Sequence, residues 1–321
     1  MTRPMRTHLT RTALLALVVP AFFALGACRD PAPGTPDASA DARGDTVDLS
    51  QPLRLGDVSV RGAPTTHGAD AATVDRRARD TLLGQPEFVP TERPGLGPFT
   101  LDGTWRVSLG DPRDGSGQVI GTVYVKLTLH QPRATGPLQA AYTTEAFVGE
   151  ALAGTRPQEE ETSALLLGVV EECALNLTKQ VRVDRADDGA LLELLGRKDD
   201  PELLGFAITA ARARRLKRAA PTLVALLGHE QRDVVNQAAA ALGDLGDEKA
   251  VSALIDAGSR VDPLDRLPVL YALGEIGGPQ AILYLQTLAG SDVDLRVANA
   301  AQQALERARS KDGGPTDKSG H

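Results

Sequence analysis

Side chains able to do acid-base or metal chemistry are few and scattered. Beyond the first 27 residues histidine occurs at His67, His130, His229 and His321. None has a second histidine at the spacing that puts two ligands on one helical face, so no metal centre is expected. Cysteine occurs only at Cys28 and Cys173. Cys173 falls in phase with Leu166, Val169 and Leu177, which marks it as a buried thiol rather than a nucleophile. The run GDPRDGSG at 110–117 has the glycines of a phosphate loop. No lysine follows it, the next segment alternates like a strand, and no glutamate closes it as an EF-hand requires, so it reads as a hairpin turn. No catalytic residue and no cofactor is expected.

Charge gives one local feature. Arg212, Arg214, Arg215, Lys217 and Arg218 crowd into seven residues of a chain with net charge -7. Two readings fit: a solvated turn, or a surface for an anionic partner or for lipid headgroups. The acidic balance of the whole chain argues against nucleic acid as a partner.

The elements that would position such groups begin with the amino terminus. Arg3, Arg6 and Arg11 precede an uncharged run over 12–27 of about 15 apolar residues. That is shorter than the roughly 20 a spanning helix needs, and it reads as an export signal. The stretch Leu25-Gly26-Ala27-Cys28 resembles the bacterial lipobox. The resemblance implies cleavage before Cys28, acylation of that cysteine and a tethered lipoprotein. Arg29 stands where an aspartate would imply retention at the inner membrane, which points to the outer membrane, facing the periplasm. Loss of residues 1–27 would remove three bases and take the net charge from -7 to -10.

Residues 28–50 are dominated by Pro, Ala, Gly, Asp and Ser. They hold too little apolar surface to fold and read as a disordered tether reaching about 25 Å. Residues 51–186 read as an α+β domain: strand-like alternation near 53–60, a helix with Ala71, Val74, Ala78 and Leu82 on one face, strand-like runs at 101–109, 119–130 and 138–148, and a helix over 160–179. That order predicts a small antiparallel sheet with two helices packed on it.

From 187 to 309 the pattern is helical and repeats. ALGDLG at 241–246 returns as ALGEIG at 272–277, a period of about 31 residues that signals stacked helix pairs. The second helices fall near 220–227, 250–257 and 281–288, between an opening helix at 190–195 and a closing helix at 293–307. The segment is similar to HEAT repeats, which implies an all-α solenoid in which each pair is stable only when stacked. Asn236 and Leu267 depart from the family, whose first helix often has an arginine there. The family also includes deoxyhypusine hydroxylase, with His-Glu pairs that hold iron. The counterparts here are Asn236-Gln237 and Leu267-Pro268, and His229-Glu230 lies out of register in the preceding turn. Residues 310–321 are polar and read as a disordered tail.

A solenoid offers extended faces for recognition. The sequence therefore reads as a membrane-anchored, non-enzymatic scaffold for other envelope proteins. The outward residues of the second helices, by phase, are Thr222, Ser252, Asp256, Tyr284 and Thr287. The alternative is an enzyme or ligand-binding module in the α+β domain, using Glu145, His130 and the acids at Glu159 to Glu161.

Overall fold

The computed structural model describes residues 51–62, 69–91, 99–110, 119–131, 139–152, 159–290 and 294–312. The export signal, Cys28, the tether, His67, the 111–117 turn and residues 313–321 lie outside them. The chain divides into two compact units, Met1–Arg182 and Val183–His321.

The first unit is a five-stranded sheet under two helices. Its elements are β1 (Leu53–Gly62), α1 (Ala71–Leu83), β2 (Phe88–Pro90), β3 (Phe99–Leu109), β4 (Val119–Gln131), β5 (Gln139–Leu152) and α2 (Glu159–Arg185). The strands lie in the order β2-β1-β3-β4-β5. β3, β4 and β5 form antiparallel pairs, whereas β1 runs parallel to both β2 and β3. The sheet is thus mixed, which corrects the expectation of an antiparallel one. Two antiparallel neighbours can be joined by a tight turn, but β1 leads into α1. That helix returns the chain to the end where β1 began, and β2 and β3 both start there. β2 escapes sequence reading because three residues cannot display a period.

One face of the sheet is dry. Val123, Val125, Leu127 and Leu129 of β4 meet Val74, Ala78 and Leu82 of α1 and Leu166, Val169, Cys173 and Leu177 of α2 in one core, the stripes that alternation and helical phase predict. Ala71, by contrast, is exposed. Asp75 of α1 accepts a 2.7 Å bond from the Val60 N–H of β1. Arg182 of α2 pairs with the nearly buried Glu87 at 2.7 Å. Gly62 lies under the indole of Trp105, where a Cβ would come within 1.9 Å of the ring. The opposite face, with Thr104, Arg106, Lys126 and Phe147, is open to solvent.

The second unit is all helical: α3 (Asp188–Leu195), α4 (Pro201–Ala213), α5 (Ala220–Leu226), α6 (Arg232–Leu245), α7 (Val251–Ser259), α8 (Leu267–Ile276), α9 (Pro279–Ala289) and α10 (Leu295–Asp312). α4, α6, α8 and α10 stack in one layer, and α3, α5, α7 and α9 form the other. A single apolar core runs between the layers from Val183 to Ala308. α10 continues to Asp312, so the first three residues expected in the tail are helical.

Small residues set the spacing in the first layer. A Cβ on Gly243 of α6 would stand 2.8 Å from Ala272 Cα of α8, and one on Gly274 of α8 would stand 2.9 Å from Ala304 Cα of α10. The same two-residue step, alanine then glycine, occurs at Ala241 and Gly243 and at Ala272 and Gly274. The repeat in the sequence is therefore the trace of helices in backbone contact.

Candidate interaction surfaces

Five basic residues converge on the turn between α4 and α5, and the structure sorts them into two kinds. Arg214 is structural: its guanidinium donates to the carbonyls of Ala186 at 2.6 Å, Asp184 at 3.0 Å and Val183 at 3.3 Å, with Asp188 at 3.8 Å. It thereby adds a donor to carbonyls at the end of α2, of which Val183 also accepts the Ala186 N–H at 3.3 Å, and sets a cation at the negative end of the helix dipole. Arg212 is held by Asp244 of the next repeat. Arg215, Lys217 and Arg218 are exposed and make no ion pair among the described residues.

The backbone gives Arg215 a further distinction. α4 ends with Arg215 N–H on the Arg212 carbonyl at 3.0 Å and Leu216 N–H on the Ala211 carbonyl at 2.9 Å, the paired bonds of a helix stop whose closing residue is left-handed. Arg215 takes that conformation with φ 50°, and among the described residues no other non-glycine has positive φ. Gly246 (φ 66°) and Gly277 (φ 75°) follow at successive steps of 31 residues. In the same register Arg212 stands where later repeats have Gly243 and Gly274. The first repeat thus carries arginine at two positions that are glycine in the next two. The ALG-type hexapeptide is not visible in this copy because its glycines are gone, leaving AARARR at 210–215.

Of the outward residues expected on the second helices, Ser252, Asp256 and Thr287 are exposed, while Thr222 and Tyr284 are half-buried. Tyr284 packs against the core, its hydroxyl 3.5 Å from where Gly258 would carry a Cβ. Leu283 is presented instead, 65% exposed. Helical phase misplaces Tyr284 alone on α9, because a tyrosine can bury its ring and still reach a polar edge.

His229 lines a cavity of about 510 Å³ between the α3–α4 and α5–α6 turns, with Lys198, Asp199 and Glu230. Its Nδ1 accepts the Gln231 N–H at 3.0 Å and its Nε2 donates to the Lys198 carbonyl at 3.2 Å. Both nitrogens are committed to backbone, which makes the ring a strut between turns and leaves no lone pair for a metal.

On the open face of the sheet Tyr124 donates to Glu145 at 2.9 Å; desolvation first, then this bond, raises the phenol above its ordinary range. His130 Nε2 lies 3.4 Å from Asp102. Lys126 is opposite Glu145, and His130 is four residues further along β4. At about 3.4 Å per residue that separates the two pairs by roughly 14 Å. They share a face but do not converge, and Glu160 and Glu161 sit in the first turn of α2. Among the described residues no group of three His, Cys, Asp or Glu could hold a metal ion.

Two layers of antiparallel helix pairs stacked at a fixed period define a helical-repeat protein. Residues 189–267 match the family model of HEAT repeats, and the stacking continues past them through α10. No curated protein matches the chain.

Proposed function

We propose that this chain is a lipid-anchored, non-enzymatic envelope protein whose HEAT-repeat unit holds other proteins. The observation that carries the scaffold reading is the two-layered stack of repeats itself. Such stacks offer an extended face whose residues come from successive helices, here Ser252 and Asp256 of α7 and Leu283 and Thr287 of α9. The separation of His130 from Glu145 on the sheet supports the non-enzymatic part, since acid-base catalysis needs groups that meet on one substrate.

Anchoring rests on the basic, then apolar, then LGAC pattern ending at Cys28. In this reading the attachment is made by acyl chains on Cys28, at the outer membrane and facing the periplasm; among the described residues no helix is long and apolar enough to cross a membrane. Fractionation of the full chain should find it with membranes, and Cys28→Ser should move it to the soluble fraction; membrane retention of that variant would defeat the anchor. Proximity labelling from the intact protein tests the scaffold. One recurrent envelope protein, lost on Ser252→Arg with Thr287→Arg, supports it, and an unchanged labelling pattern refutes it.

A further inference from the structure

We propose that Arg215, Lys217 and Arg218 form an electrostatic docking surface for anionic lipid headgroups, which turns the repeat unit toward the membrane that anchors it. The inference rests on the anchored reading above. Between Glu202 and Glu230 the chain has no acidic residue and five basic ones, in a protein of net charge -7. Two of the five are consumed internally, Arg212 by Asp244 and Arg214 by the carbonyls of Val183, Asp184 and Ala186. The other three project from a single turn, exposed and without a salt bridge among the described residues.

The register of the repeats shows that the fold does not need this charge. The positions of Arg215, Lys217 and Arg218 are Gly246, Glu248 and Lys249 in the next repeat and Gly277, Pro279 and Gln280 in the one after. Glycine at the first of these is the favourable choice for a left-handed residue, so Arg215 weakens the helix stop, and among the described residues its side chain makes no hydrogen bond that would offset the cost. What the arginine offers points outward.

Charge complementarity selects the occupant. An acidic molecule near an anionic bilayer is repelled over most of its surface and attracted where its free cations cluster, so this turn is the part drawn to the headgroups. Three charges give a weak contact alone, worth about fivefold in partition each. Anchoring as proposed raises the local concentration of lipid, so a weak contact is sufficient.

The test uses residues 29–321, which keep every described residue and cannot be acylated at Cys28, so its result does not depend on the anchor. Co-sedimentation at millimolar lipid should show binding to phosphatidylglycerol–phosphatidylcholine vesicles and little to phosphatidylcholine alone, weakening as salt rises. Reversal by Arg215→Glu, Lys217→Glu and Arg218→Glu should lower partition at least about 100-fold, and the three glutamine substitutions should lower it in the same direction with an unchanged circular dichroism spectrum. Reversal of Arg76, Arg260 and Arg309, exposed elsewhere, should cost much less. Equal loss in both reversed variants, binding indifferent to headgroup charge, or a triple reversal that abolishes contact with an acidic protein while vesicles bind neither form would each overturn the lipid assignment. Failure of the anchor would appear separately, in the fractionation of Cys28→Ser.

Discussion

Arg215 and Cys173 show how one residue's surroundings set its behaviour. A non-glycine residue in the left-handed region costs about 1 kcal/mol, and Arg215 is the described residue that bears this cost. Arg215→Gly should therefore stabilise the helical unit by about 1 kcal/mol, read as a higher denaturation midpoint by circular dichroism; a lower midpoint would mean that the side chain has a structural partner. Burial pushes the Cys173 thiol from about 9 up to about 12, with the nearby Glu172 adding to the shift. The thiol form is thus preferred by the folded state over the unfolded one. Its contribution is full below pH 9 and is lost as pH rises toward 12. At pH 8 a disulfide reagent should label Cys173 of residues 29–321 only as fast as the first unit opens, and at once in denaturant; rapid labelling of that native chain would contradict its burial.

At the scale of elements, the same substitution should have opposite signs in two helices. Gly168 of α2 has nothing within 4 Å of the position a Cβ would take. Gly168→Ala should stabilise by about 0.5–1 kcal/mol through helix propensity alone. Gly274 of α8 faces the Ala304 backbone, with Cα, Cβ and carbonyl oxygen all 2.9 Å from that position. Gly274→Ala must separate α8 from α10, and should cost about 1–3 kcal/mol in spite of the same propensity gain. Thermal melts of the two variants decide this, and a stabilised Gly274→Ala would show that the helices do not meet there. The arginine at 214 works at this scale too. Arg214→Ala would remove the guanidinium bonds to the carbonyls of Val183, Asp184 and Ala186 and should destabilise by about 1–3 kcal/mol.

For the whole molecule, the two units have separate cores, and the chain has a single tryptophan. Trp105 is buried in the first core, so its fluorescence follows the sheet unit, while far-ultraviolet circular dichroism is dominated by the helical one. We expect the two signals to give different denaturation midpoints. Gly274→Ala should move the dichroism transition and leave the fluorescence transition in place; coincident shifts would show one cooperative unit. Fluorescence should likewise be insensitive to Arg215→Gly.

The sequence alone determined whatever is local or periodic. The stripes of α1, β4 and α2 follow from side-chain direction, since the period of each element dictates which residues share a face. The pairs after ALGDLG and ALGEIG follow from a repeat that must bury the same surface each time. The LGAC stretch and the acidic balance also belong to the sequence. Strand direction did not, because β1 is parallel to its neighbours only through the path of α1 between them, and an alternating strand reads the same either way. The basic turn shows the division most clearly. Five bases at 212–218 are equivalent in sequence, and tertiary structure divides them: Asp244 lies 32 residues from Arg212, and the carbonyls that hold Arg214 lie 28 to 31 residues before it. Which charges are spent inside the fold and which face outward depends on such distant partners, and only packing brings them within reach.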